Sequence, residues 1–192
     1  MKFFIGEWFA DNAIMTSYLD QVQFYTGSYL RQNRLSISPK IGGSMLYGLT
    51  WRGPWMAPGK YRTPSKYPKL FKTKVMDDYP ELEEIFREFG EIYFPAFNWS
   101  QTQMNKNYPC PPHKDNANIG SSILCCFGDY EGGHTLVDYG EKTGIQKLDA
   151  RAGWVKFNGA KYTHWVEPIK SGTRYALVFF ANSSIDSRKK IL

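Results

Sequence analysis

The chain has 192 residues, enough for one domain whose core needs no disulfide or metal staple. Aromatic residues make up 17% of it, which excludes a disordered chain, and no apolar stretch is long enough to span a bilayer. The formal charge of +6 is unevenly spread. Gln21 to Met76 holds ten Lys or Arg and no acid, leaving fourteen basic residues against eighteen acids elsewhere, net −4.

In chain order, Met1 to Gly6 meets Glu7 too early for the apolar region of a signal peptide. Residues 1–90 are expected to form a basic helical and loop region packed on a core, within a single domain spanning 1–192. Tyr18, Tyr25, Tyr29 and Tyr47 read as core or helix-face residues. The acid-free block reaches its densest form at Trp51–Lys69, where Arg52, Lys60, Arg62, Lys66 and Lys69 alternate with aromatics and prolines. Such a block predicts a footprint for a polyanion, its cations meeting phosphates. Trp51 and Trp55 are expected to pack inward. Tyr79–Gly90 reads as a helix. Pro80 suits its first turn, Leu82, Ile85, Phe86 and Phe89 share a face, and Gly90 ends it.

Beyond it come short strands: Glu91–Phe97, Trp99–Asn105, Ser121–Phe127, His134–Asp138, Gly144–Leu148, Gly153–Phe157, Thr163–Val166 and Arg174–Ala181. Many short strands at close spacing predict a mainly β fold with N-terminal helices. The expected core, 91–184, is a double-stranded β-helix, the cupin-like jelly roll. The three cysteines, Cys110, Cys125 and Cys126, are an odd count with two adjacent in an apolar run, and read as reduced thiols.

Only three histidines occur, and two complete one pattern: His113-Lys114-Asp115, then His164, then Arg174. The first motif is expected on the loop before Ser121, His164 at the start of a late strand and Arg174 at the start of the last. His-x-Asp with a distant His is the ligand set of a 2-His-1-carboxylate triad for Fe(II), which leaves positions for a co-substrate and O2. Arg174 supplies the fixed cation that 2-oxoglutarate needs for its far carboxylate. A closed zinc set is a poorer account, because no Cys or third His shows the spacing. His134, the remaining histidine, is either a plain strand residue or a contact to the metal-side carboxylate of the co-substrate. A cupin-like binding protein would use the same ligands but leave Arg174 without a role.

The segments Pro112–Ser121, Phe127–Gly133, Phe157–Gly159 with His164, and Gly172–Phe180 resemble the Tet/J-binding-protein family of Fe(II)/2-oxoglutarate dioxygenases. Those enzymes oxidise the 5-methyl group of pyrimidines in DNA. The resemblance covers roughly 98–182. It implies His113, Asp115 and His164 as iron ligands and Arg174 as the 2-oxoglutarate clamp. It also implies Asn118 as a contact to a flipped base, although Asn-Ala-Asn is equally good turn chemistry. Where the family stacks a Tyr on the base this chain has Phe180, and where it uses a base-contacting His it has Asn182. Ala176 replaces a Ser that faces 2-oxoglutarate. The departures bear on the choice of base more than on the chemistry.

AlkB-type repair enzymes would need a second Arg where Phe180 stands. Prolyl-hydroxylase-type enzymes share the Gly-Thr-Arg-Tyr-Ala-Leu strand, but their substrate offers no polyanion to the basic block. The expected function is oxidation of a 5-methylpyrimidine in double-stranded DNA, 5-methylcytosine before thymine. A hydroxylase of protein side chains is the alternative, and a jelly-roll DNA-binding module the non-enzyme reading. A monomer with no membrane partner is expected, in the cytoplasm or nucleus, with a virus among the sources that would suit so short a chain.

Overall fold

The computed structural model of the chain describes residues 2–26, 42–50 and 70–183. Among the described residues three helices, α1 (Trp8–Asp20), α2 (Lys74–Asp78) and α3 (Leu82–Tyr93), accompany twelve strands. The strands are β1 (Gly43–Thr50), β2 (Phe71–Lys72), β3 (Gln101–Lys106), β4 (Cys110–His113), β5 (Asn118–Phe127) and β6 (Tyr130–Gly132). They continue with β7 (Thr135–Asp138), β8 (Ile145–Leu148), β9 (Val155–Phe157), β10 (Thr163–Val166), β11 (Ile169–Gly172) and β12 (Tyr175–Asn182). A six-stranded sheet runs β2-β1-β3-β12-β5-β9 and a four-stranded sheet β4-β10-β7-β8, with β11 and β6 as a separate pair. Every pairing is antiparallel. This is the expected mainly β, jelly-roll architecture.

Side chains alternate faces along a strand, and that period divides the large sheet into two surfaces. Tyr175, Leu177 and Phe179 of β12, Ile123, Cys125 and Phe127 of β5, Met104 of β3, and Met45 and Tyr47 of β1 pack with the helices in one buried cluster. Their neighbours Ala176, Val178, Phe180, Leu124, Gln101, Gln103 and Leu46 face a cavity instead. One surface therefore holds the helices and the other builds a site.

Helix α3 shows why the helices dock there. Its buried residues Leu82, Ile85, Phe86 and Phe89 form the expected face. Phe89 is fully buried and meets Phe4, Trp8, Tyr93, Phe94, Phe127 and Phe179. Truncating such a side chain typically costs about 3–5 kcal/mol.

The expected stop at Gly90 and strand at Glu91–Phe97 are corrected. The helix runs on to Tyr93, and a turn from Phe94 to Phe97 follows. Gly90 is a point of close approach: a Cβ there would sit 2.2 Å from Trp99 Cη2. The missing side chain thus serves packing rather than termination.

Two further expectations change. Residues 43–50, expected in a helical or loop region, form β1 within the large sheet, paired with β3. The His-x-Asp motif is not wholly on a loop, because His113 ends β4 and only Asp115 lies in the turn after it. Pro111 and Pro112 disguise β4 as loop, yet it is an edge strand of the small sheet, where proline is tolerated. The short strands β6 and β11 carry no alternation strong enough to read. Of the four tyrosines, Tyr47 is buried and Tyr18 and Tyr25 pack against the helical cluster. Tyr29, Trp51 and Trp55 lie outside the described residues. No helix among the described residues is long and apolar enough to cross a membrane.

The N-terminus is fastened by Asp11, which is fully buried in the first turn of α1. Its carboxylate accepts the Ile5 and Gly6 N–H groups at 2.9 and 2.8 Å and the Tyr93 hydroxyl at 2.6 Å. Burial and this carboxylate push the Tyr93 hydroxyl pKa upward, so it remains a donor. Replacing Asp11 with alanine orphans three donors, and we expect a loss of about 3 kcal/mol. For a chain of this size that lowers the melting temperature by roughly 10 °C, measurable by circular dichroism.

Candidate active site

His113 and His164 are Cα partners across β4 and β10, and their ring centroids lie 4.3 Å apart. Antiparallel pairing therefore brings together two residues 51 positions apart in sequence. Asp115 arrives from the turn after β4, its N–H donating to the Gly159 carbonyl at 2.9 Å. The carboxylate then stands 3.7 Å from His113 Nε2 and 3.5 Å from His164 Nε2. One ligand atom from each residue falls within a 4.8 Å group.

The other ring nitrogens fix the tautomers. His113 Nδ1 lies 2.9 Å from the Pro111 carbonyl and His164 Nδ1 3.2 Å from the Tyr162 carbonyl. A carbonyl only accepts, so each Nδ1 is the donor, which leaves Nε2 on the Asp115 side as the nitrogen that would bind a metal. Such backbone bonds are how metal-binding histidines are commonly oriented. Gly159 keeps the site uncrowded: a Cβ there would lie 3.0 Å from both Asp115 Oδ2 and His164 Cε1. Two neutral imidazoles and one carboxylate suit Fe(II) better than closed tetrahedral zinc.

Arg174 lies just before β12 and is 2% exposed. Its Nη2 donates to Cys126 Sγ at 3.2 Å and Thr135 Oγ1 at 3.3 Å, and its guanidinium stands 5.7 Å from the centre of the Tyr130 ring. Nε has no hydrogen-bond partner among the described residues. No carboxylate among the described residues pairs with this cation. The thiol beside it does not supply the missing charge. Burial pushes the Cys126 pKa up, and the opposing pull of Arg174 is the smaller effect. A buried guanidinium among neutral groups is costly unless an anion joins it. Gly133 makes room for its stem, since a Cβ there would lie 2.8 Å from Arg174 Cδ.

The triad and Arg174 open on one cavity of about 500 Å³, also lined by Leu124, Val166, Ala176 and Val178. That volume suits a small co-substrate with part of a second molecule. Asn118, Phe180 and Asn182 line the same cavity. Asn118 and Asn182 are Cα partners across β5 and β12. The Asn118 N–H closes a turn onto the Asp115 carbonyl at 2.9 Å. Its side-chain amide reaches Asp115 Oδ2 at 3.4 Å and Ser122 Oγ at 3.3 Å. The turn role and a place on the cavity wall thus coexist in one residue.

His134 is not brought in. Its neighbour Thr135 lines the cavity, while the His134 ring pairs with Glu167 at 3.0 Å. Arg52, Lys60, Arg62, Lys66 and Lys69 lie outside the described residues. Cavity residues absent from the sequence reading of the site include Gln101, Gln103 and Asn105 on β3, together with Thr135. Polar side chains at every second position normally mark a solvent face, and here that face is turned inward.

No family model matches the chain. The chain is similar to Tet-like dioxygenase 1 of Naegleria gruberi, with 40% identity over 123 residues, a match covering 62% of this chain. The chain spans 37% of that relative's length. Among solved structures, NgTET1 in complex with 5mC DNA shares 20% identity, a TM-score of 0.47, and coverage of 73% of this chain and 61% of the other. A Pseudomonas putida prolyl-4-hydroxylase shares 12% identity, a TM-score of 0.46, and coverage of 94% and 89%.

Proposed function

We propose that this chain is an Fe(II)/2-oxoglutarate-dependent dioxygenase that oxidises the 5-methyl group of a pyrimidine flipped out of double-stranded DNA, 5-methylcytosine before thymine. One observation carries the reading: a buried Arg174, with no carboxylate partner among the described residues, shares a cavity with a convergent His-Asp-His set. The first needs an organic acid and the second a metal, and 2-oxoglutarate joins the two.

In this reading His113, Asp115 and His164 hold Fe(II), and Arg174, assisted by Thr135, binds the far carboxylate of 2-oxoglutarate. Fe(II), 2-oxoglutarate and O2 together supply oxidation of a C–H bond coupled to loss of CO2 and formation of succinate. The chain's own residues bind, orient and exclude water. Leu124, Val166 and Val178 give the cavity apolar walls, which strengthen the Arg174 ion pair by keeping solvent away. Phe180 offers a stacking face to a base, and Asn118 and Asn182 offer amides to its edge. Flipping delivers to the metal a methyl group that stacking would otherwise keep from it.

The DNA substrate is supported by the identity to a Tet-like dioxygenase and by the acid-free stretch Gln21–Met76. Arg52, Lys60, Arg62, Lys66 and Lys69 are proposed to meet the phosphate backbone, which makes binding strongly salt-dependent. The test is incubation with Fe(II), 2-oxoglutarate, ascorbate and methylated duplex DNA, followed by digestion and nucleoside mass spectrometry. We expect 5-hydroxymethylcytosine with stoichiometric succinate. Succinate released only in the presence of peptide would replace DNA with a protein side chain, and no succinate with either would remove the enzymatic reading.

A further inference from the structure

The strand register sorts the cavity into two ends. Arg174 precedes β12, and Phe180 follows it by six residues, roughly 20 Å along an extended strand. Gln101 of β3 is the Cα partner of Phe180, and one strand further Asn182 faces Asn118. Gln101 therefore belongs to the end remote from Arg174, where a base would enter.

Gln101 is 4% exposed and lines the cavity. Its Nε2 donates to the Leu49 carbonyl at 2.7 Å. That bond orients the amide, because reversing it would set two carbonyl oxygens against each other at the same distance. Oε1 is left with no hydrogen-bond partner among the described residues. A buried acceptor without a donor is a standing cost, and a group that brings it an N–H or O–H repays that cost.

We propose that Gln101 is a specificity-determining residue whose Oε1 accepts a hydrogen bond from the exocyclic amino group of the flipped base. The inference rests on the DNA-oxidation reading and sharpens it. Cytosine carries an amine donor at its 4-position, whereas thymine carries a carbonyl acceptor there. Thymine would set its carbonyl against Oε1 and leave both acceptors unmatched. Selection against a ligand by unpaired polar groups is stronger than selection by fit alone.

The experiment compares kcat/KM on duplexes that carry one 5-methylcytosine, one thymine, or one 5-methylpyrimidin-2-one, which lacks the amine. Wild-type protein and Gln101→Met are run side by side. The stabilisation each gains from 2-oxoglutarate reports an intact fold and an intact Arg174 end. For wild type, removal of the amine should lower kcat/KM by about 10- to 100-fold, the range expected for one orphaned buried acceptor. Gln101→Met should lose a similar factor on 5-methylcytosine and become indifferent to the amine, so that the two losses are not additive.

An unchanged amine preference in Gln101→Met overturns the assignment of Gln101 and leaves the dioxygenase reading standing. Equal wild-type rates on all three bases overturn it as well, whether or not the variant folds. Wild type that oxidises no base overturns the underlying reading and this one with it.

Discussion

His113→Ala is expected to abolish turnover while leaving DNA affinity within about twofold of wild type. The ring ends β4, pairs with His164 across the ladder and aims Nε2 at the Asp115 carboxylate. Removing it takes one of three donors from the metal. A bound metal supplies several kcal/mol to the chemistry it assists, and each ~1.4 kcal/mol is a factor of ten, so the loss is about 10³-fold or more. Binding of Fe(II), followed by calorimetry under anaerobic conditions, should weaken in parallel. DNA affinity should survive because the phosphate contacts are proposed for the basic stretch, which includes none of the metal-ligand candidates. If fluorescence anisotropy shows DNA binding lost along with turnover, the substitution has damaged the fold rather than the metal site.

The second large effect runs against intuition about charged residues. Arg174→Met should raise the KM for 2-oxoglutarate by about 10²-fold or more, since truncating one member of a buried, hydrogen-bonded charge pair costs 2–5 kcal/mol. The same substitution should leave the ligand-free protein as stable as wild type, or more stable. The guanidinium is almost fully buried beside a thiol, a hydroxyl and an aromatic ring, with no carboxylate among the described residues. Replacing buried charge with an apolar side chain of similar volume is often neutral or favourable. A thermal-shift series with increasing 2-oxoglutarate separates the two effects. Wild type at one hundred times its Kd should gain about 2.7 kcal/mol, and Arg174→Met nothing. A variant that melts well below wild type without ligand would mean that Arg174 is structural.

Legibility in the sequence followed how narrowly chemistry restricts each position. His113, Asp115, His164 and Arg174 stand out because few residue types can bind a metal or fix a carboxylate, and spacing does the rest. The helix face Leu82, Ile85, Phe86, Phe89 was readable from its period. Gly90 misled because a glycine that ends a helix and one that admits a neighbouring ring look identical in one dimension. Strand β1 was hidden because one of its faces lines a cavity, so Ser44 and Gly48 blur the alternation that a two-sided core would impose. Gln101, Gln103 and Asn105 were invisible for the converse reason. Their alternation is clear, but only the opposing small sheet turns an apparent water face into a ligand face. His134 is close in sequence to the cavity yet outside it, because the strand period gives Thr135 the inward position.

The two prolines of β4 have a consequence for how this protein behaves at high concentration. Among the described residues, Pro111 and Pro112 occupy the outer strand of the small sheet, and because backbone N–H groups alternate sides along a strand, one of the two removes a donor from its outer edge. An edge with a donor missing is a poorer template for a strand from another molecule. The strand that carries His113 is thus shielded from edge-to-edge aggregation, and a foreign strand cannot easily pull it out of register with His164.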